Sequence, residues 1–306
     1  MNHDSEPRGV SAGCKLNLFL HINGRRPDGF HELQTYFQLI DYGDQLRFDA
    51  TTGEGIRVDW RAGDEDLTDR PADPKDDLLY RAAMALREAA PAPDRNARCR
   101  AHITLTKNAP IGGGLGGGSA AAARVLLELN RRWGLNLSLD RLCEIGARLG
   151  ADVPVFLRGQ SATAHGIGDI LHPGEIPDSP GWFLILIPAR SAPTAALFAS
   201  PALERDTPKQ DDARLLAHWR TDGFNAFEPI VLGDDAELAA LRDALADYAG
   251  FARLTGSGAC LFAPVESAEI GHQIGERLQA EHPILRRFVV APPLLTPNQE
   301  VSENTP

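Results

Sequence analysis

A glycine-rich stretch between residues 110 and 120 most constrains what this chain can fold into. It reads PIGGGLGGGSA, with six glycines among residues 112–118, and it runs directly into the helix-forming segment 120–130. Glycines remove side chains where a ligand must approach the backbone, and the first N–H groups of a helix carry partial positive charge without a partner. We therefore predict an anion site here, most often one for phosphate.

Three other interpretations of the glycine stretch are disfavoured. It does not end in Gly-Lys-Ser or Gly-Lys-Thr, so it is not a Walker A loop. It can be read as GxGxxG, but a Rossmann dehydrogenase would need this loop after its first strand and an acidic residue at the end of the second strand. A flexible linker would be richer in polar residues and would not continue into an amphipathic helix.

The composition of the 306 residues excludes several classes of protein. The net charge of −11, from 31 basic and 42 acidic residues, argues against nucleic acid or an anionic membrane as a partner. No apolar run approaches ~18 residues, and the polar N-terminal segment does not have the pattern of a signal peptide. Four scattered cysteines without a CxxC pair argue against a zinc site or a disulfide framework. We expect a cytoplasmic protein with a small-molecule substrate, monomeric or homodimeric.

Alternating and helical patterns along the chain predict an α+β fold. Residues 10–22 alternate as a half-buried strand would, which places Lys15 and Asn17 on one face. Asp76 or Asp77 and Ser138 are expected to cap helices, and Gly134 is expected to end one. Further strands are predicted over 35–40, 44–49, 56–60, 102–106, 161–165, 182–187, 252–254, 259–262 and 285–290, and helices over 78–86, 120–130, 139–149, 235–248 and 267–281.

Asp152 and Lys15 are the candidates for acid–base and electrostatic chemistry. A hydroxyl that attacks a phosphoryl group must lose its proton, and a nearby carboxylate such as Asp152 can accept it. The sequence also allows Asp152 to be an N-cap for the short segment that starts at Pro154. The charge of Lys15 would stabilise the ionised carboxylate and favour loss of the hydroxyl proton. A solvated strand lysine is the alternative, although an unpaired lysine in a buried strand would be costly.

Four phrases spread over most of the chain resemble one enzyme family. They are PDGFHEL (27–33), APIGGGLGGGSAAAA (109–123), LGADVPVF (149–156) and LTGSGACLFA (254–263). In this order they resemble the GHMP kinases, the galacto-, homoserine, mevalonate and phosphomevalonate kinases, and most of all the branch whose acceptor is a cytidine-diphosphate methylerythritol. The resemblance implies a two-domain GHMP kinase fold. Residues 1–165, with a disordered tail at 1–8, would form an ATP-binding domain like ribosomal protein S5 domain 2, and residues 166–306, with a disordered tail at 293–306, a ferredoxin-like domain.

The resemblance also implies roles for individual residues. ATP, accompanied by Mg²⁺, would donate its γ-phosphate to an alcohol, with Asp152 as base and Lys15 as its electrostatic partner. Phe30 would stack on the cytosine, His31 would hydrogen-bond its edge, and Phe198 would close the other face unless it packs in the core. ATP contacts are expected at Lys107, Pro110, Ile111, Gly112, Gly113, Gly114, Leu115, Gly116, Gly117, Gly118, Ser119 and Ala120, and further substrate contacts at Asn17, Thr194, Gly256 and Ser257.

Some of these positions have open alternatives or depart from the family pattern. Lys107 could be solvated, Ser119 could be a plain N-cap, and Gly256 and Ser257 could form only a tight hairpin turn. The family loop often ends Gly-Ser-Ser-Asp-Ala-Ala, whereas residues 118–122 read GSAAA, so no metal ligand is assigned. The frequent Asn-Asp-Leu-Glu phrase appears as Asn-Ala-Phe-Glu over 225–228 and receives no catalytic role. Phe30 stands where Tyr is common, which keeps the stacking face without the hydroxyl.

Two alternative functions remain at this point. The chain could be another small-molecule kinase of the same family, such as a homoserine or mevalonate kinase, which needs no cytosine contacts. It could also be a nucleotide-binding protein that has lost its chemistry. That hypothesis predicts the loss of Lys15 or Asp152, and both are present.

Overall fold

The computed structural model describes residues 9–49, 55–92 and 98–294. The predicted disordered tail 1–8 lies outside these ranges, as does the tail 293–306 apart from Pro293 and Leu294. Pro293 forms a bridge to Ile40, and the Leu294 N–H donates to the Leu39 carbonyl oxygen at 2.9 Å. These two residues are therefore ordered against a strand.

The described residues form strands and helices in the following order along the chain. The strands are β1 (Val10–Ser11), β2 (Cys14–Arg25), β3 (His31–Ile40), β4 (Gln45–Asp49), β5 (Ile56–Ala62), β6 (Ala101–Lys107), β7 (Ala162–His165), β8 (Ile170–Pro173), β9 (Trp182–Pro188), β10 (Arg253–Leu254), β11 (Leu261–Val265) and β12 (Leu285–Ala291). The helices are α1 (Leu78–Ala89), α2 (Gly117–Arg132), α3 (Leu139–Ala147), α4 (Val153–Arg158), α5 (Thr194–Ala199), α6 (Asp212–Ala217), α7 (Glu228–Gly233), α8 (Ala236–Ala249) and α9 (Ala268–Glu281), and a 3₁₀ turn spans Pro74–Asp76.

Two compact units alternate along the sequence. Their described residues fall within Met1–Cys14, Tyr42–Ile111 and Gly116–Arg158 for the first unit, and Lys15–Asp41, Gly112–Leu115 and Gly159–Pro306 for the second. The division of the chain at residue 165 stays a prediction.

The first unit contains a mixed sheet with the strand order β1-β4-β6-β5. β5 and β6 are parallel and are joined through α1, so they form a βαβ connection. α1 begins where its sequence predicts, because the Asp77 side chain accepts from the Leu79 and Tyr80 N–H groups. Ser138 caps α3 by accepting from the Arg141 N–H, and this predicted cap is also confirmed.

The second unit contains a four-stranded sheet with the order β2-β3-β7-β8. The expectation of a half-buried β2 is wrong, because its residues from Cys14 to Ile22 are all buried. The physical reason is a second neighbour on this strand besides β3. The Leu20 N–H donates to the Phe224 carbonyl oxygen at 2.8 Å, and the Ala226 N–H donates to the Leu20 carbonyl oxygen at 2.9 Å.

The same unit contains an antiparallel sheet with the order β12-β9-β11-β10. Helices α8 and α9 pack on this sheet. Along the chain, the strands and these two helices follow the order β9, α8, β10, β11, α9, β12. This is the ferredoxin-like arrangement, which confirms that part of the predicted fold. Its core is mostly aliphatic and includes Leu184, Leu186, Leu241, Leu261 and Leu278.

Several short elements were not predicted. Helices α5, α6 and α7 have six residues each, which is less than two full turns and too short for a clear helical period. Strand β8 was not predicted either, and three of its four residues are solvent-exposed. Within the described ranges, no helix is both long and apolar enough to cross a membrane.

Candidate active site

Lys15 and Asn17 lie side by side on β2, and both are almost completely buried. The Lys15 ammonium donates to the Asn17 side-chain oxygen and lies 5.6 Å from the centre of the Phe37 ring. Asn17 in turn donates through Nδ2 to Thr35 Oγ1 at 2.8 Å. The alternative of a solvated Lys15 is therefore wrong, since only 4% of the residue is exposed. Asn17, which was expected to contact the substrate, is here a hydrogen-bond partner of Lys15.

The two glycine-rich stretches of the sequence meet backbone to backbone in the second unit. A Cβ atom on Gly114 would lie 2.1 Å from the Thr255 carbonyl oxygen, and one on Gly256 would lie 2.7 Å from the Gly114 carbonyl oxygen. The Lys15 N–H donates to the Leu115 carbonyl oxygen at 2.9 Å. Thr255 also reaches the lysine strand, because its Oγ1 accepts from the Asn17 N–H at 2.9 Å. The loop is thereby fixed beside the buried lysine.

The end of the glycine stretch in the first unit forms the open N-terminus of α2. Gly116 is the N-cap, with a left-handed φ of 70°, and no side chain in the described part of the protein caps this end. The alternative of Ser119 as a plain N-cap is wrong, because Ser119 lies in the first turn of the helix. A Cβ atom on Gly117 would lie 2.7 Å from Ala109 Cβ, so only glycine allows this close packing. The first N–H groups of α2 are thus available to an anion.

Asp152 immediately precedes α4 and is half-buried. Asp152 lies in a turn over residues 150–153, which is closed by the Val153 N–H donating to the Gly150 carbonyl oxygen at 3.1 Å. A Cβ atom on Gly150 would lie 3.6 Å from Ser119 Oγ. The first unit therefore brings the turn that carries Asp152 next to the first turn of α2.

Lys107 is buried, with 3% of its surface exposed, so the alternative of a solvated lysine is wrong. Its Nζ lies 2.6 Å from Asp44 Oδ2, and the other oxygen of Asp44 accepts from the Asn108 and Ala109 N–H groups at 2.8 and 2.9 Å. A Cβ atom on Gly117 would lie 3.5 Å from Lys107 Nζ. This buried ion pair fixes the chain just where it enters the glycine stretch.

Phe30 and His31 follow the turn between β2 and β3 and differ sharply in exposure. The Phe30 ring is a large exposed hydrophobic group, with 59% of the residue accessible, whereas His31 is 8% exposed. The turn is held by the Phe30 N–H, which donates to Asp28 Oδ1 at 3.1 Å. An exposed ring on a fixed turn offers a stacking face to a planar ligand.

Phe198, on α5, stacks on His31 with ring centres 5.0 Å apart and an angle of 25° between the planes. Its edge contacts Phe227, and it packs against the core of the second unit. Arg205 completes this group, since its Nε donates to His31 Nε2 at 3.1 Å. Burial and then the positive charges of Arg205 and Arg25 lower the pKa of His31.

Gly256 and Ser257 lie in the connection between the antiparallel strands β10 and β11, so the expected hairpin is present. This connection also contacts other elements. Ser257 Oγ lies 2.7 Å from Thr194 Oγ1, so two predicted substrate residues are neighbours. Asn225 Nδ2 donates to the carbonyl oxygens of Leu254 and Gly256, both at 2.8 Å. The 225–228 phrase thus supports this connection.

The sequence reasoning missed Asp44, Thr35 and Arg205, which hold Lys107, Asn17 and His31. Each is a single polar residue outside the recognisable phrases, so no local pattern identifies it. Among the described residues, no cluster of three or more His, Cys, Asp and Glu side chains could hold a metal ion. The open α2 N-terminus instead suits the phosphates of a nucleotide, which carry their own cation.

Comparison with known proteins places the chain in a family. Residues 77–160 match the family model described as the GHMP kinases N terminal domain. A 4-diphosphocytidyl-2-C-methyl-D-erythritol kinase from Cupriavidus metallidurans is 43% identical over 279 residues, which cover 90% of each chain.

Solved structures agree with this placement. A crystal structure of a 4-(cytidine 5'-diphospho)-2C-methyl-D-erythritol kinase is 28% identical, with a TM-score of 0.73 and coverage of 92% of this chain and 97% of that one. The mevalonate kinase of Methanococcus jannaschii shares the fold, with a TM-score of 0.66, 12% identity and coverage of 95% and 100%. The chain therefore belongs to the GHMP kinases, a family of ATP-dependent small-molecule kinases, and it is similar over most of its length to the 4-diphosphocytidyl-2-C-methyl-D-erythritol kinases of that family.

Proposed function

We propose that this chain transfers the γ-phosphate of ATP to the C2 hydroxyl of 4-diphosphocytidyl-2-C-methyl-D-erythritol, the kinase step of the non-mevalonate route to isoprenoid precursors. The observation that carries the proposal is 43% identity, over 90% of the chain, to a curated kinase of that name. The buried Lys15–Asn17 pair and the open N-terminus of α2 supply the chemistry that such a reaction needs.

In this proposal the glycine stretch and α2 bind the phosphates of ATP. Gly112, Gly114 and Gly116 all have positive φ values, between 70° and 80°, which turn successive backbone N–H groups in directions that other residues rarely allow. Ser119, in the first turn of α2, adds a hydroxyl donor. Mg²⁺ bound to ATP would supply charge neutralisation at the phosphates that this loop holds.

Asp152 accepts the proton of the attacking hydroxyl in this mechanism. Lys15 stabilises the negative charge that develops on the oxygen as the proton leaves. Asn17 takes one of the three Lys15 N–H donors and thereby limits the directions in which the ammonium points. Because Lys15 is 4% exposed, its charge is weakly screened and acts strongly on a nearby group.

The cytidine end of the acceptor uses the exposed Phe30 ring and His31. Phe30 stacks on the base, a contact that contributes about 1–3 kcal/mol in nucleic-acid complexes. Phe198 acts by backing the His31 ring, and Thr194, Gly256 and Ser257 line the substrate's phosphate side. The division at residue 165 into an ATP-binding and a C-terminal domain, a cytoplasmic location and a monomeric or homodimeric state belong to the same proposal.

An acceptor assay tests the proposed function directly. ADP release is measured with Mg-ATP and 4-diphosphocytidyl-2-C-methyl-D-erythritol, with homoserine and mevalonate as control acceptors. We expect kcat/KM to be at least a hundredfold higher with the cytidine compound. Equal or greater turnover with either control would overturn the substrate assignment, and no turnover with any acceptor would favour a binding protein without chemistry.

A further inference from the structure

Arg205 holds an unusually complete set of hydrogen bonds around the His31 ring. Its NH1 group donates to the Leu203 carbonyl oxygen at 2.8 Å, and NH2 donates to the carbonyl oxygens of Phe198 and Ser200 at 2.9 and 2.6 Å. Its Nε donates to His31 Nε2 at 3.1 Å. Four of the five N–H donors of the guanidinium are therefore used, and the group is fixed in position.

This contact determines where His31 carries its proton. A guanidinium is always protonated in proteins, so Arg205 Nε acts only as a donor and His31 Nε2 must act as the acceptor. Neutral imidazole has a single N–H, which must then lie on Nδ1. A doubly protonated ring would direct an N–H group at Arg205 and add a second positive charge, and the lowered pKa of His31 agrees with a neutral ring.

The ring is also fixed in orientation. It stacks on Phe198, with the ring centres 5.0 Å apart, and the Phe198 carbonyl oxygen accepts from the same Arg205. Turning the His31 ring over would put Cε1 in the place of Nε2 and break the bond to Arg205. Arg205 thus fixes the orientation and the tautomer of the His31 ring, and it also holds the backbone carbonyl group of Phe198, the residue on which that ring stacks.

We propose that Arg205 is a positioning residue that presents His31 to the acceptor base as an N–H donor at Nδ1. The proposal rests on the proposed function for its ligand. The edge of cytosine carries two hydrogen-bond acceptors, the ring nitrogen N3 and the carbonyl oxygen O2, beside one donor, the N4 amino group. An Nδ1–H group matches either acceptor, whereas the opposite tautomer would oppose both and match only the amino group.

Nitrogen NMR of protein labelled with ¹⁵N-histidine tests the tautomer without any substrate. A His31→Gln variant assigns the His31 signals among the 9 histidines. At pH 7.5 we expect a protonated Nδ1 and an unprotonated Nε2 in the wild-type protein. We expect Arg205→Met to convert His31 largely to the Nε2–H form that free histidine prefers. A wild-type Nε2–H signal, or an unchanged tautomer in Arg205→Met, would overturn the proposal.

Arg25→Met is the matched control, because Arg25 also acts on His31 by charge but makes no hydrogen bond to its ring among the contacts described. We expect this variant to keep the Nδ1–H form. In the acceptor assay we expect Arg205→Met to raise the KM for the cytidine compound at least tenfold, with kcat and the KM for ATP within twofold of wild type. A parallel loss of kcat and ATP affinity would indicate a merely structural role and overturn the proposal.

The two proposals fail in distinguishable ways. If the protein shows no activity with the cytidine acceptor, the proposed function fails, whereas the NMR result still decides whether Arg205 sets the His31 tautomer. If the acceptor is phosphorylated and the wild-type ring carries its proton on Nε2, only the role of Arg205 is lost.

Discussion

Asp152 is the residue on which the proposed mechanism depends most. It is half-buried, it precedes α4, and its turn lies next to Ser119 in the first turn of α2. These features suit either a base near bound phosphate or a helix cap, and a substitution separates the two roles. Asparagine keeps the capping oxygen but cannot accept a proton at neutral pH.

We therefore expect Asp152→Asn to lower kcat by about 10²–10⁴-fold, the usual contribution of a positioned general base. The affinity for ATP, measured by titration calorimetry, should stay within about threefold, and the unfolding free energy within about 0.5 kcal/mol, because asparagine caps helices as well as aspartate does. Asp234→Asn, at an exposed aspartate after α7, is the control and should keep full activity. Near-normal turnover in Asp152→Asn would contradict its role as the base and leave only the role of a helix cap.

His21 on β2 makes stability depend on pH. It is fully buried, stacks on Phe224 with ring centres 4.1 Å apart, and its Nε2 accepts from the Phe224 N–H. Burial, with the positive charge of Arg253 as the second cause, lowers its pKa from 6.5 to about 4. Between these two values the unfolded chain binds a proton that the folded chain does not, so acid favours unfolding.

From this shift we expect His21 alone to cost roughly 2 kcal/mol of unfolding free energy between pH 7 and pH 5. Urea unfolding at both pH values measures the change. His21→Gln keeps an acceptor for the Phe224 N–H without titrating, so its pH dependence should be smaller by that amount. His272→Gln, at an exposed histidine of α9, should keep the wild-type pH dependence, and an equal pH dependence in all three proteins would contradict the assignment.

At the scale of elements, the glycine stretch is restricted by close backbone contact as well as by phosphate binding. Gly114 has a φ of +80°, and a Cβ atom there would lie 2.1 Å from the Thr255 carbonyl oxygen. Gly134, after α2, has a φ of +66°, and a Cβ atom there would have no neighbour within 4 Å among the described residues. The two sites share the left-handed backbone and differ only in the space around them.

We expect Gly134→Ala to cost about 1–2 kcal/mol from backbone strain alone. Gly114→Ala adds a collision with backbone, which raises the cost to about 3–5 kcal/mol or displaces the loop. Urea unfolding and the KM for ATP measure both effects, and the KM should rise at least tenfold only in Gly114→Ala. Equal behaviour of the two variants would show that the contact with Thr255 is not important.

Local patterns predicted the long elements well and the short ones poorly. The caps at Asp77 and Ser138 and the left-handed Gly134 were predictable because each depends on a few neighbouring residues. The burial of β2 on both faces was not predictable, because it depends on residues more than 180 positions away. One of them is Thr207, whose N–H donates to the Ile22 carbonyl oxygen of β2. The site follows the same rule. Asp152 and the glycine stretch lie in recognisable phrases, and Lys15 and Asn17 lie in an alternating strand pattern. Arg205 belongs to neither and meets His31 only through folding.

At the scale of the second unit, Arg253 joins distant parts of the chain. Its buried guanidinium donates to the carbonyl oxygens of Leu18, Trp219, Arg220 and Gly223. Burial lowers its pKa to about 10, which still leaves it charged at neutral pH. Removing it would leave these carbonyl groups without their donor in a dry environment.

We expect Arg253→Met to lower the unfolding free energy by at least about 3 kcal/mol, as measured by urea unfolding. Arg277→Met is the control, because Arg277 is an exposed residue of α9 that pairs with Glu281 at 3.0 Å and lies over the Tyr248 ring. Such surface interactions contribute about 1 kcal/mol or less. A loss below 1 kcal/mol in Arg253→Met would refute the linking role.

The long-range partners of β2 have a consequence for synthesis of the protein. The Asn17 N–H and its acceptor, Thr255 Oγ1, are 238 residues apart in the sequence. At ribosomal rates of about 5–20 residues per second, β2 waits on the order of 10–50 s for that partner to be made. During this time a strand whose first nine residues are all buried in the folded protein has no complete binding surface for its apolar side chains. We therefore expect the nascent chain to be a client for chaperones that shield apolar segments at the ribosome exit.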